Sequence, residues 1–404
     1  MRVLHTADWH LGRTLEGRSR LAEQEAFVDE LVELVQAEQI DVVLIAGDAY
    51  DSVNPPAAAE QLFYEALGRL ADGGRRQVAV IAGNHDSPER LSASGPLAAR
   101  QGITLVGLPR PELLRLQVER TGEIARVLAL PYPSESRLRE VLSDSLDETV
   151  LRAAYSDRVA HLLRQQAQGF QKDTVNIMMS HVYVLGGAES DSERPIQVGG
   201  AYTVATDAFC VGAQYTALGH LHRAQTLKAD ELVRYSGSPL AYSFSEAGQA
   251  KSVTVFDASP GQPVTPRELY LQCGRPLVEW RAKEGLQQVH RWLEEGRDAG
   301  AWIDLELRLS EALSMEEIQR LRKAHDGIVN IRPVYADALP SERDVIRVSE
   351  LSAPELFRRF YERQTGGAQP EPELIRLFME LLDEAAGSAE AMPDWARKGD
   401  GEAL

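Results

Sequence analysis

Seven polar residues in this chain are of the types that bind divalent metal ions, and each stands at or just past the end of an apolar run: Asp8, His10, Asp48, Asn84, His181, His220 and His222. Carboxylate, amide and imidazole donors without a thiolate suit Mn²⁺, Fe²⁺ or Zn²⁺ more than Mg²⁺. The set is too large for one ion and suits two that share a bridge. Asp48 is the natural bridge, since a carboxylate can serve both ions. Two ions ~3.5–4 Å apart would clamp a phosphoryl group and convert a bridging water into a nucleophile. No strand-end serine or cysteine is evident as a rival nucleophile, so attack by metal-bound hydroxide is the expected route. His85, beside Asn84, need not bind metal. It is expected to donate a proton to the leaving oxygen or to stabilise the charged transition state.

Five short apolar segments must position these groups. They lead into Asp8-Trp9-His10, Gly47-Asp48, Gly83-Asn84-His85-Asp86, His181 and Gly219-His220-Leu221-His222. Parallel strands would bring those ends together, at the edge where open α/β sheets bind ligands. Taken singly, each motif has a bland reading: Asp-x-His arises by chance, and Gly-Asn-His-Asp can be a turn. Their joint occurrence at five strand ends does not. Asp86 is read as orienting its neighbours. Between strands, residues 21–39 show a helical apolar face of Phe27, Leu31, Leu34 and Val35, so the chain opens as a βαβ unit with a right-handed crossover. Pro55-Pro56 begins a second helix. Short alternating runs between 103 and 133 predict strands of a mixed or second sheet, and 137–168 reads as a helix carrying His161. Residues 232–235 and 252–256 read as hairpin strands that close that second sheet. The polar loop 186–194 is expected to be mobile and near the site.

Residues 276–336 alternate as strand, helix, strand, helix and strand, with Ser314 and Glu317 forming a capping box. This unit holds no cluster of site type, so covering or positioning is its expected role; His290 and His325 read as surface residues. Two amphipathic helices follow, at 353–363 and 372–384. Leu356, Phe357, Phe360 and Tyr361 mark one apolar face; Leu374, Leu377, Phe378 and Leu381 mark the other. Two helices bury little alone, so they must dock on this protein or on a partner. The expected domains are 1–272, 273–340 and a linker with helical tail at 341–404.

The 404 residues suit two or three domains. A net charge of −18 is unusual for a nucleic-acid binder, so any attraction for DNA must come from local patches or from a partner. The two cysteines, Cys210 and Cys273, lack metal-type pairing, read as small buried apolar residues and fit a reducing cytosol. No segment approaches the ~20 apolar residues of a membrane span. The opening shows no basic region or apolar signal core, so a cytoplasmic location is expected.

The five motifs, intact and in order, resemble the calcineurin-like metallophosphoesterase superfamily; there the second motif runs on to Asp or His, here Asp51. That resemblance implies an α/β fold built as a β-sandwich flanked by helices. Within the superfamily, His5 to Gly12, Gly83 to Ser87, Ser190 to Pro195 and Tyr235 to Pro239 resemble the SbcD family of bacterial nucleases, as does the layout of phosphoesterase, small capping domain and helical tail. The resemblance implies one ion held by Asp8, His10, Asp48 and His222, a second held by Asp48, Asn84, His181 and His220, and His85 as the catalytic histidine. It further implies Mn²⁺ dependence, exonuclease action on double-stranded DNA ends and endonuclease action on hairpins and single strands. It implies a homodimer within a heterotetramer, with an SbcC-like coiled-coil ATPase bound by the tail, acting in DNA repair, recombination and replication. Two rivals remain. A cyclic-nucleotide phosphodiesterase or phosphatase would share the metal site but has no need of the capping unit and tail. A non-catalytic scaffold would have no reason to keep seven ligands and His85.

Overall fold

The computed structural model describes residues 1–110, 112–134, 155–193, 202–309, 313–335, 352–365 and 370–379. Parts of four expected elements lie outside them: residues 137–154 of the long helix, 194 of the polar loop, the linker around 340, and the end of the second tail helix with Leu381.

Two six-stranded sheets form the centre. In the first the order is Arg267–Tyr270, Ser252–Asp257, Arg2–Thr6, Val42–Ala46, Gln77–Ile81 and Ile103–Val106. The last four run parallel, as βαβ connections require. In the second the order is Gln225–Thr226, Val233–Tyr235, Tyr215–Gly219, Val175–His181, Ile124–Leu130 and Leu114–Gln117. Here Tyr215–Gly219 is parallel to both of its neighbours. The two later strands expected to close the second sheet part company. Val233–Tyr235 does join it, while Ser252–Asp257 pairs antiparallel with the first strand of the other sheet. Alternation along a strand shows which side is apolar but does not name the neighbour.

Side-chain alternation builds three layers of core. Val3, Val42, Leu44, Ala46, Ala79 and Ile81 point between the sheets, where Val127, Ile177, Met179 and Ala217 meet them. Leu4, Val43, Ile45 and Val80 point the other way, under the helices Leu21–Ala37 and Ala57–Ala71. The helix Tyr155–Ala167 covers the outer face of the second sheet with Val159, Leu162 and Leu163. Every residue of Val42–Ala46 is therefore buried, which is why that run is apolar throughout rather than alternating.

Residues 277–335 make a three-stranded sheet with helices Leu286–Glu294 and Met315–Ala324 around Trp280, Ile303, Leu305 and Leu321. The Ser314–Glu317 capping box is present in both directions. His290 is exposed, but His325 is buried at the end of its helix, with its ring bonded to Asp298 O and Gly327 N. The surface expectation for His325 fails because the turn after the helix folds over the ring. Leu277, Trp302 and Val329 pack on Leu15, Ala241 and Phe244 of the sandwich. At that seam Glu23, paired with Arg20, accepts from Trp302 Nε1 and from Arg275 N, each at 2.8 Å. Cys210 and Cys273 are free and half-buried rather than buried. Residues 1–334 form one compact unit and 335–404 a second. In the latter, Ala353–Thr365 and the helix at 372–379 meet through Phe357 and Phe378, stacked at 4.2 Å. No helix among the described residues is long and apolar enough to cross a membrane.

Candidate metal centre

Five strand ends converge, drawn from both sheets. Asp8 and His10 follow the first strand, Asp48 follows Val42–Ala46, and Asn84 and His85 follow Gln77–Ile81. His181 ends Val175–His181 in the second sheet, and His220 and His222 follow Tyr215–Gly219. The two groups are tied together directly. His220 N donates to Asp8 Oδ1 at 2.9 Å, and His181 Nδ1 donates to Ala46 O at 2.9 Å. The approach is so close that a Cβ on Gly219 would stand 1.8 Å from Ala46 O, and one on Gly83 would stand 2.1 Å from Asp48 Oδ1. These motif glycines are required by the crossing of backbone with backbone and with a ligand side chain.

Four of the seven candidate ligands hold left-handed backbone conformations: Asp8, His10, Asp48 and His220, with φ of 56°, 44°, 49° and 109°. Each costs on the order of 1–3 kcal/mol and persists only because its surroundings enforce it. Asp8 N donates to Gly47 O and His10 N to Asp48 O, so adjacent loops enforce one another. Asp86 adds a clamp: its buried carboxylate accepts from Gly83, Ala49 and Tyr50 N–H groups. It orients two loops, as expected.

Among the described residues the donor atoms cluster in three groups within 4.8 Å: Asp8 with His10 and His222, Asp8 with Asp48 and His181, and His10 with Asp51 and His85. Asp48 Oδ2 lies between the two halves, 3.6 Å from His10 Nε2 and 3.4 Å from His181 Nε2. Asn84 Oδ1 is 2.9 Å from His181 Nε2 and 3.2 Å from His220 Nδ1. His10 Nε2 and His222 Nε2 stand 3.0 Å apart. Thus all seven residues expected to bind metal come together. His85 Nδ1 donates to Asp51 O at 2.7 Å, which leaves Nε2 facing the site, 3.9 Å from Asp48 Oδ2.

The electrostatics fit a divalent cation. Burial pushes His10 down to about 3, lowers His222, and, together with neighbouring His181, takes His220 well below its ordinary value; these rings are neutral and offer lone pairs. Burial would lower His181 too, but the Asp48 and Asp8 carboxylates hold it up to about 9. Burial, with Asp48 alongside, drives Asp8 well above the carboxylate range. Asp8 Oδ2 is buried with no hydrogen-bond partner. Two carboxyl groups buried this closely can both be ionised only beside positive charge; a proton on His181 is one source, and a metal ion is another.

Sequence reasoning missed several groups. Asp51, left without a role beyond matching the motif, lies 3.5 Å from His10 Nδ1 and 3.6 Å from Arg13. Tyr242 donates to Trp9 O and packs its ring on His10 and His222. Ser192, Glu193 and Glu246 gather behind His222. The loop expected to be mobile is thereby pinned at residues 190–193.

Residues 1–223 match the family described as calcineurin-like phosphoesterase, and 273–365 match the type 5 capsule protein repressor C-terminal domain. The chain is 56% identical to the SbcD subunit of the SbcCD nuclease of Bacillus subtilis, across 94% of this chain and 97% of that one. The chain belongs to the SbcD nuclease family. The SbcD subunit from Rhodobacter capsulatus is 37% identical over 70% of this chain and 72% of its own length. That from Escherichia coli is 30% identical over 97% and 100%. The SbcD family resemblance and the α/β phosphoesterase fold read from the motifs both hold.

Proposed function

We propose that this chain is the DNA-cleaving subunit of an SbcCD-type complex, working with two divalent ions, Mn²⁺ by preference. The observation that supports it most is the convergence of seven oxygen and nitrogen donors and His85 in one buried site, in a chain of this family. Asp8, His10, Asp48 and His222 would hold one ion, and Asp48, Asn84, His181 and His220 the other. The ions supply Lewis acidity and an activated water. The protein's own groups do the rest. Asp48, the one carboxylate common to both sets, would join the two sites, and Asp86 braces the loops that carry them. His85, oriented by the Asp51 carbonyl, would deliver a proton from Nε2 to the departing deoxyribose oxygen. The substrates in this reading are double-stranded ends, hairpins and single strands. Residues 1–272 carry the chemistry and 273–340 form the cap.

The tail, through Leu356, Phe357, Phe360, Leu374, Leu377 and Phe378, is proposed to bind an SbcC-like ATPase, in a heterotetramer around a homodimer in the cytoplasm. Leu356, Phe360, Leu374 and Leu377 are exposed, which suits that role. An ATPase partner would also supply the positive surface that a chain of net charge −18 lacks.

The test is cleavage of end-labelled duplex and hairpin DNA with Mn²⁺ against Mg²⁺, beside bis-p-nitrophenyl phosphate. Manganese-dependent DNA degradation, lost in Asp48→Ala, is the expected result. Turnover of the small ester with no action on DNA, even with the ATPase added, would overturn the substrate.

A further inference from the structure

We propose that Ser192 and Glu246 are positioning residues for the metal centre, the Ser192 hydroxyl relaying the charge of Glu246 to the outer nitrogen of His222. This rests on the metal-centre reading above. Neither residue belongs to a metal-binding motif. Ser192 comes from the polar loop after His181, and Glu246 from a short turn at Phe244–Glu246. Both are buried, at 5% and 1% exposure.

Ser192 Oγ lies 2.5 Å from His222 Nδ1, 2.6 Å from Glu246 Oε1 and 2.8 Å from Ser190 Oγ. A carboxylate can only accept, so the serine proton goes to Glu246 and a serine lone pair faces the ring. His222 Nδ1 therefore carries the ring proton, and Nε2 is left bare towards His10 and the site. That is the tautomer a metal ion needs, fixed by an outer partner. Lys251 Nζ donates to Glu246 Oε2 and keeps the carboxylate ionised. The same loop holds the ligand a second time, since Glu193 Oε1 accepts from His222 N at 2.8 Å. Arg13 fastens the loop from outside by donating to Ser192 O at 2.9 Å.

The arrangement is specific to this ligand. His181 takes its orientation from a strand carbonyl, Ala46 O, which no substitution removes. His222 takes its orientation from one hydroxyl 30 residues away. Capping explains part of what Glu246 does, because it also accepts from the Tyr242 and Ser243 N–H groups. Capping does not explain a buried hydroxyl from another loop inserted between carboxylate and imidazole.

The experiment uses the full chain with Mn²⁺ alone as the probe. Binding is followed by calorimetry and by the spin-coupled paramagnetic resonance signal of a manganese pair. Wild type is expected to bind two ions. Ser192→Ala should lose about 10–100-fold in affinity for one of them, with the coupled signal fading in step. Its apo melting temperature should stay within about 2 °C of wild type. Ser192→Thr, which keeps the hydroxyl, should recover most of the affinity. Two results would overturn the inference: wild-type affinity for both ions in Ser192→Ala, or an affinity loss matched by an equal loss of apo stability that Ser192→Thr fails to relieve. Failure of wild type itself to bind two ions would reject the metal centre instead.

Discussion

The strand-end site and the tail are built on opposite plans. At the site every candidate ligand but Asn84 is buried, backbones cross within van der Waals limits, and polar loops brace one another. In the tail, two helices share one aromatic stack and leave Leu356, Phe360, Leu374 and Leu377 open to solvent. The first plan spends conformational freedom before a substrate arrives, which chemistry on a phosphodiester requires. The second withholds apolar surface until something else covers it. Damage should therefore read out differently in the two regions.

The largest effect is expected for Asp48→Ala. Metal-dependent DNA hydrolysis should fall by about a thousandfold or more, because both halves of the site lose a shared oxygen; single-turnover rates at saturating Mn²⁺ check it. Next is His85→Gln, with a loss of about 10²–10⁴-fold in rate while metal content stays at wild type. Loss of an ion by elemental analysis would contradict the proton-donor role. Gly219→Ala should cost ~3 kcal/mol or more, since its Cβ has no room beside Ala46 O, and a lower urea midpoint would show it. Phe360→Asp in the tail should leave the urea midpoint of the catalytic unit and the cleavage of bis-p-nitrophenyl phosphate unchanged, yet weaken ATPase capture by about ten-fold. Unchanged capture would break the contrast between the regions.

The smallest effect concerns the seam with the 277–335 unit. Burial would raise the Glu23 carboxyl, but Arg20, Arg275 N and Trp302 bring it below its ordinary value of 4.5. A depressed carboxyl stabilises above the unfolded value, so this contribution is present at neutral pH and lost as pH falls below 4.5. Tryptophan fluorescence followed down in pH should report Trp302 leaving Glu23, and Glu23→Gln should flatten that transition.

Much of the site was legible because its chemistry is local. An apolar run followed by Asp, Asn or His shows both the strand and the candidate ligand at its tip. Which sheet a strand joins was less legible: Ser252–Asp257 has the right alternation for either, and only its pairing with Arg2–Thr6 decides. Of the groups behind the candidate ligands, the sequence showed only a polar loop near the site, not which of its residues reach a ligand or what they meet. Ser192 and Glu246 lie 54 residues apart, and Tyr242 meets the carbonyl of Trp9 from 233 residues away. A hydroxyl that matters through one distant hydrogen bond leaves no periodic trace. His325 shows the converse, since helical position alone suggested exposure and the following turn buried it.

The candidate ligands come from both sheets, three strand ends on one side and two on the other. An ion held there would cross-link the two sheets at one rim of the sandwich, a link that the unfolded chain cannot make. Binding is then linked to folding: ions at a hundred times their dissociation constant add about 2.7 kcal/mol per site to the free energy of unfolding. A chelator should accordingly lower the melting temperature as well as stop turnover, so loss of metal would also expose the chain to unfolding.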